Sequence, residues 1–454
     1  MQLTGTYHRR PREEWEPQPE WFGTVDLALG GLTGDDFPSG SRLAVWCQAG
    51  LAPGPDTNAR VVGQFTGLVE LEPIDVEPLG STTATWLLTG LRSRRPIVHA
   101  NDGPEAAYVI RPDGSTRPVH VVPVTTSHAR RNAPPSAGLT NAGARPHRSL
   151  VADDRRPAVV PLPRNIEVAN APTGRPRLVC SAPQAEPVIA LARRLDVDVF
   201  AAGAVDGDAV LVDVRIDRAL GAGRSTVECR DERCTVVAAD DTAAQHALIT
   251  LAQLADAGQL GDVTIDDEPA MAFRGVHLDL ARRWYEPDVV GRLIDVVAWR
   301  KLTHVHLHLT DDEAWRFPVP EFPALAAVGG TRGHGLPIPP VCGSGAEPYG
   351  RAYTAQEIAD WVTRADTLGI VLVPEVDVPG HCFAALAAVP ELRDPDDTSH
   401  AVSVQGYPDN VLVPGHPATE PFLRAVFGAL VTLFPSSPVV HIGGDEVPHG
   451  AWMS

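Results

Sequence analysis

At 454 residues, 44% of them apolar and 21% charged, the chain has the composition of a soluble globular protein and length for about two to four domains. Acidic side chains outnumber basic ones 57 to 38, and the formal charge of −19 argues against nucleic acid or an anionic membrane as the main partner. Such a surface suits a neutral or cationic substrate without choosing one.

Met1 to Glu20 contains no apolar stretch of signal-peptide type, and no apolar run anywhere reaches membrane-spanning length. As written, the expected compartment is the cytoplasm; a misplaced start codon could hide an export signal. From Trp21 to Pro123, short β-rich runs alternate with Gly, Pro and Asp turns. Leu43–Trp46, Gly67–Leu71, Thr83–Leu88, Ala107–Ile110 and Val119–Val124 are examples, the last two facing each other across Arg111-Pro-Asp-Gly114. With no helical period, residues 1–125 are expected to form a β-sandwich. Residues 126–157, rich in Arg, Pro, Ala, Gly and Ser and without periodicity, are expected to be a linker.

A second unit is expected over 158–262. Strands near Arg177–Cys180, Ala209–Val214, Ser225–Cys229 and Cys234–Ala238 combine with helices Ala185–Leu195 and Asp241–Ala255, the pattern of a small α+β domain. The six cysteines are scattered through the chain. Cys229 and Cys234 flank a turn and could bridge a hairpin in an exported protein, but no second pair of ligands at metal-binding spacing is nearby. Free thiols are the expectation.

From Met271 the pattern becomes strict strand–helix alternation. Strands are expected at Phe273–Leu280, His304–Leu309, Ile370–Val376 and Val439–Ile442, with helices at Pro287–Trp299, Thr354–Leu368 and Pro421–Phe434. Repeated β–α units imply a parallel sheet, open or closed into a (β/α)₈ barrel, and only four units fit over 270–454. Each strand is followed by an ionisable group: Arg282, then Asp311 and Asp312, then His381, then Asp445 and Glu446. In barrels of this kind, groups at the carboxyl ends of the strands carry the chemistry. One such residue would mean little; four in succession form a pattern.

Four segments carry a family resemblance: Phe273-Arg-Gly-Val-His-Leu-Asp-Leu-Ala-Arg282, His306-Leu-His-Leu-Thr-Asp311-Asp-Glu-Ala-Trp315, Glu375-Val-Asp-Val-Pro-Gly-His381 and His441-Ile-Gly-Gly-Asp445-Glu446. They resemble, in order, the opening strand motifs of glycoside hydrolase family 20, the β-N-acetylhexosaminidases and chitobiases. Residues 158–262, opening on Val160-Pro-Leu-Pro-Arg164, are similar to that family's small accessory domain, and the first unit more weakly to the sandwich preceding it in bacterial chitobiases. The resemblance implies a TIM barrel of which the first half is present, hence an incomplete record and a chain inactive as written, because the family's other half lines the sugar pocket. Arg283 and Glu313 depart from the family's commoner histidine and glutamine.

The resemblance also implies roles. Glu446 would protonate the glycosidic oxygen and later activate water, and Asp445 would stay ionised against the 2-acetamido group. Asp311 and His381 would tune Glu446, and Arg282 would hold sugar hydroxyls. Adjacent carboxylates repel, and that repulsion is expected to raise the pKa of one of them, as an acid requires. No metal or organic cofactor is implied, and the partner is an N-acetylhexosamine-bearing oligosaccharide. Two other readings stand beside this one. The chain could be a non-catalytic, carbohydrate-interacting fragment. Alternatively His304, His306 and His308, alternating on one strand, could bind zinc in a metal-dependent amidohydrolase-type barrel, which a chelator would inhibit.

Overall fold

The computed structural model describes residues 1–10, 20–65, 67–74, 84–97, 102–126, 157–169, 174–201, 209–397 and 411–447. Residues 127–156, nearly all of the expected linker, lie outside the described residues.

Among the described residues, the first unit is built on ten strands, nine in one hydrogen-bonded path and Thr125–Thr126 paired beside Gln2–Arg9. Its halves join where Gln2–Arg9 pairs in parallel with Thr116–Val121 over only two residues, Gln2 with His120 and Leu3 with Val121. Gly23–Leu32 shows the cause of the layer: alternate residues Val25, Leu27 and Leu29 are buried, the period-two pattern of a strand with one face inward. Those residues share one core with Leu43, Val45 and Leu71 from the other half of the path. Sequence reading missed the strand Gln2–Arg9, whose alternation is broken by the polar run around Thr4 and Thr6.

The opposite face of Arg42–Cys47 is not left to solvent. Ala44, Trp46, Leu68, Tyr108 and Ile110 form a second cluster with Val341 from a loop of the parallel-stranded unit. Phe65 also meets Phe383 of that unit, with ring centroids 6.2 Å apart.

The second unit is a six-stranded sheet ordered Asn165–Val168, Val263–Asp267, Ser225–Arg230, Arg233–Ala238, Ala209–Ile216, Arg177–Val179. Val263–Asp267 lies past the expected boundary at 262. Helix Asp241–Asp256 begins at Asp240, whose side chain accepts the Ala243 N–H at 2.8 Å. It is buried nearly all round, as a helix must be when lodged between two layers. Gln253 donates to the Trp299 carbonyl at 2.8 Å, and Lys301, the only lysine, donates to Thr250 Oγ1 at 2.8 Å.

The expected free thiols need correction: Cys229 and Cys234 form a disulfide. Asp231 and Glu232 both adopt positive φ (47° and 61°), the geometry of a two-residue hairpin turn that matches strand twist. That turn pairs Arg230 with Arg233 and sets the two cysteines directly opposite each other, with Cα atoms 4.0 Å apart. Cys47, Cys180, Cys342 and Cys382 are free.

In the third unit Gly275–Asp279, His304–His308 and Val371–Glu375 run parallel and in step, Asp279 beside His308 beside Glu375. Helix Pro287–Trp299 starts on a proline at its first position, and Ala355–Thr367 on a Thr354/Glu357 capping box. Helix Thr419–Leu433 follows. The expected fourth strand, Val439–Ile442, is reduced to one bridge between Glu375 and His441. The segment still follows the sheet edge, with Val376 N–H donating to the His441 carbonyl and Val378 N–H to that of Ile442, both at 3.1 Å. Gly443 and Gly444 then turn the chain away at positive φ (63° and 94°), so the ladder ends early. Asp295, with its side chain 2% exposed, is held by Arg194 at 2.9 Å and Arg364 at 3.3 Å and ties the second unit to the third.

Candidate active site

Because the three strands end level, the turns after them meet at one rim. Arg282 leaves the first turn with its guanidinium among three carboxylates: Nη1 is 3.1 Å from Asp279, Nη2 2.7 Å from Asp311 and Nε 3.3 Å from Glu313. Burial disfavours its charge, but these carboxylates outweigh that and push its pKa further up. Asp279 is therefore one of three carboxylates that share this guanidinium.

Asp311 is buried and accepts from every side. Oδ2 faces Arg282 and His308 Nε2, both at 2.7 Å, and Oδ1 takes the Asp312 N–H at 2.7 Å. Burial alone would raise its pKa; the hydrogen bonds from His308 and His381 and the Arg282 charge reverse this and hold it far below the usual carboxylate range.

His381 sits at φ 50°, a left-handed conformation that costs an L-residue about 1–2 kcal/mol. Its Nδ1 lies 3.1 Å from Asp312 and 3.2 Å from Asp311, and its Nε2 lies 3.3 Å from Glu446. Burial opposes its charge, yet the two aspartates lift its pKa to about 11. Glu446 also adopts positive φ (52°), so both residues are set by their surroundings rather than by local preference. Contacts therefore run from Arg282 through Asp311 and His381 to Glu446, which brings four of the five expected residues together.

The fifth, Asp445, stands beside Asp377, a residue sequence reading quoted but did not single out. Asp377 accepts the Gly444 N–H at 2.8 Å, and donor atoms of Asp377, His381 and Asp445 lie within 4.8 Å of one another. Asp377 has its pKa raised to about 7, by burial first and then by the Asp445 charge. Repulsion between acids was expected within the pair 445/446; it is Asp377 that carries this raised value. Glu313 was also missed: buried beside Asp311, it has its pKa driven well up by burial and by that neighbour's charge. Its signal was present in the departure from glutamine at that position.

The three alternating histidines divide. His306 and His308 both meet Glu375 Oε2, at 2.8 and 2.9 Å, whereas His304 faces Thr303 Oγ1 at 2.7 Å and stacks on Phe273 at 4.2 Å. Among the described residues, His277 with His306 and Glu375, His308 with Glu375 and Asp377, and Asp311 with Asp312 and His381 also bring potential metal ligands within 4.8 Å.

Paired acids, a buried arginine and a histidine relay meet at the ends of parallel strands, where barrel enzymes carry their chemistry, and such an arrangement can supply both a proton and charge stabilisation. Comparison with known proteins makes this specific: residues 271–454 match the profile of the glycosyl hydrolase family 20 catalytic domain. The β-hexosaminidase of Vibrio furnissii is 41% identical over 214 residues, covering 46% of this chain and 35% of that protein. That of Akkermansia muciniphila is 35% identical over 213 residues, covering 46% and 42%. The solved exo-β-N-acetylglucosaminidase of Vibrio harveyi, in complex with N-acetylglucosamine, matches all of this chain and 69% of its own at 26% identity, with a TM-score of 0.77. Residues 271–454 are thus similar to the catalytic domain of glycosyl hydrolase family 20, and the whole chain is similar in fold to a solved member with a TIM-barrel catalytic domain and accessory domains. It spans well under half the length of the curated relatives it matches.

Proposed function

We propose that the protein removes terminal non-reducing N-acetyl-β-D-hexosamine residues by a retaining, substrate-assisted reaction. Its parallel strands would be the opening strands of the (β/α)₈ barrel, with residues 1–125 and 158–267 as accessory domains. The supporting observation is the continuous line of contacts from Arg282 to Glu446, with Asp445 and Asp377 alongside.

In this reading the proton on Glu446 passes to the glycosidic oxygen as the bond to the anomeric carbon breaks, and the sugar's acetamido oxygen forms the new bond to that carbon. Asp445, ionised beside protonated Asp377, accepts the acetamido N–H and stabilises the positive charge of the oxazolinium ring. Water then attacks the anomeric carbon as the bond from that carbon to the acetamido oxygen breaks, and it gives its proton to Glu446, which restores the acetamide and the acid with retained configuration. Arg282 meets a sugar hydroxyl through the arm now held by Asp279, the least buried of its three carboxylate partners.

The test is hydrolysis of an aryl N-acetyl-β-glucosaminide, with Glu446→Gln expected to abolish most turnover. Near-wild-type rates in that variant would overturn the assignment. The His277–His306–Glu375 grouping keeps the metal-dependent reading measurable: inhibition by EDTA, restored by zinc, would favour it.

A further inference from the structure

The contacts do not stop at Asp311. His308 is almost wholly enclosed and places one ring nitrogen on each of two carboxylates: Nε2 is 2.7 Å from Asp311 Oδ2 and Nδ1 is 2.9 Å from Glu375 Oε2. An imidazole with both nitrogens against ionised carboxylates satisfies both contacts only by donating from both. Glu375 in turn meets three histidines on two segments: it is hydrogen-bonded to His308 at 2.9 Å on Oε2 and to His441 at 3.0 Å on Oε1, and His306 Nε2 lies 2.8 Å from Oε2.

We propose that His308 and Glu375 are positioning residues for the acid at 446: Glu375 fixes the His308 ring, His308 pins Asp311, and Asp311 aims His381 at Glu446. This rests on the hydrolase reading above and extends the relay to five groups, Glu375–His308–Asp311–His381–Glu446. The physical case is one of alternating charge. Asp311 faces Arg282, His308 and His381, with Asp312 and Glu313 as its acidic neighbours. His308 faces Asp311, Glu375 and more distantly Asp279, with the His277 ring 5.7 Å away. Glu375 faces His277, His306, His308 and His441. Removing the positive ring between two anions leaves them unscreened in a buried setting, and Asp311 loses one of the donors that orient it. The His308 pKa, lowered by burial but lifted to about 10 by Asp311 and Glu375, agrees with this arrangement.

The test uses the full chain with ¹⁵N-labelled histidine rings, comparing wild type, His308→Gln and Glu375→Gln, with His304→Gln as the control on the same strand. In wild type, both His308 ring nitrogens are expected to stay protonated to about pH 9. In Glu375→Gln that ring should lose a proton at least one pH unit earlier. In His308→Gln the His381 Nδ1–H resonance should shift while the protein stays folded, with the far-UV circular dichroism of wild type. Turnover of the aryl glycoside should fall about tenfold to a hundredfold in kcat in both variants, the scale of a small misplacement of a reacting group, with KM within threefold. His304→Gln should match wild type throughout. A wild-type His308 that titrates at its ordinary pH, or a His381 resonance unmoved in His308→Gln, overturns the proposal. Should wild type not turn over the glycoside, the hydrolase reading fails, and the ring resonances still decide whether His308 and Glu375 hold Asp311 and His381.

Discussion

The sharpest test of the rim geometry is Gly443→Ala. A methyl group at Gly443 would overlap the Asp377 carboxylate and lie 2.7 Å from the Asp377 Cα, which is backbone and has little room to yield. The φ of 63° adds about 1–2 kcal/mol for any L-residue. Relief requires the turn to lift, which breaks the 2.8 Å bond from Gly444 N–H to Asp377, worth about 0.5–1.5 kcal/mol for a bond to a neutral carboxyl. The local cost is then about 1.5–3.5 kcal/mol, and Asp445 and Glu446 move with the turn. A displacement of about 1 Å at a reacting group costs roughly a hundredfold in rate. Gly444→Ala is the control: it meets the same kind of φ penalty at 94°, but its nearest neighbour is 3.8 Å away. Steady-state hydrolysis of the aryl glycoside should show kcat/KM down about a hundredfold for Gly443→Ala and clearly less for Gly444→Ala. Equal losses in both, or a Gly443→Ala rate within threefold of wild type, would refute the close packing of turn against Asp377.

Other outcomes follow from the same contacts. Asp377 should lose its proton near pH 7, after which two anions face each other; Asp377→Asn keeps a donor at every pH, so its kcat/KM profile should hold its plateau further into alkali than wild type. An identical alkaline limb in both proteins would contradict the raised Asp377 value. His308 and His381 have folded-state pKa values raised from 6.5 to about 10 and about 11, so the stability they confer is fully present below about pH 6.5 and is lost as pH rises toward 10–11. The thermal midpoint should fall across that window, and less steeply in His308→Gln. Asp295→Ala strands two arginines; a buried pair broken on one side costs about 3–5 kcal/mol, reduced here to about 2–3 because Arg194 and Arg364 are a third exposed and can rehydrate. Denaturant titration measures it, and a loss under 1 kcal/mol would show that the helices do not depend on this carboxylate.

The sequence made the regular parts legible where period and punctuation agreed. Pro287–Trp299 matches the expected helix end to end, because Pro287 opens it and apolar spacing carries it through Trp299. The candidate residues were legible by position, since each follows a strand. Their partners were not. Asp377, Glu313 and Glu375 look like ordinary acids in their motifs, and only the level register of Asp279, His308 and Glu375 makes neighbours of residues about 30 to 70 positions apart. The disulfide was missed for a related reason: spacing alone left the hairpin open, and two positive-φ residues between the cysteines closed it. The fourth strand was overcalled because Val439–Ile442 has strand composition, while pairing on one side only and the two glycines cut it short.

One consequence lies far from the acids. The backbone N–H of Phe383 holds Asp312 at 2.8 Å, Asp312 touches His381, and the Phe383 ring is braced by Phe65 from the first unit. A domain that contributes no candidate residue thus has a fingertip on the reaction machinery. Trimming it away as a spare binding module would unseat a strut three contacts from Glu446.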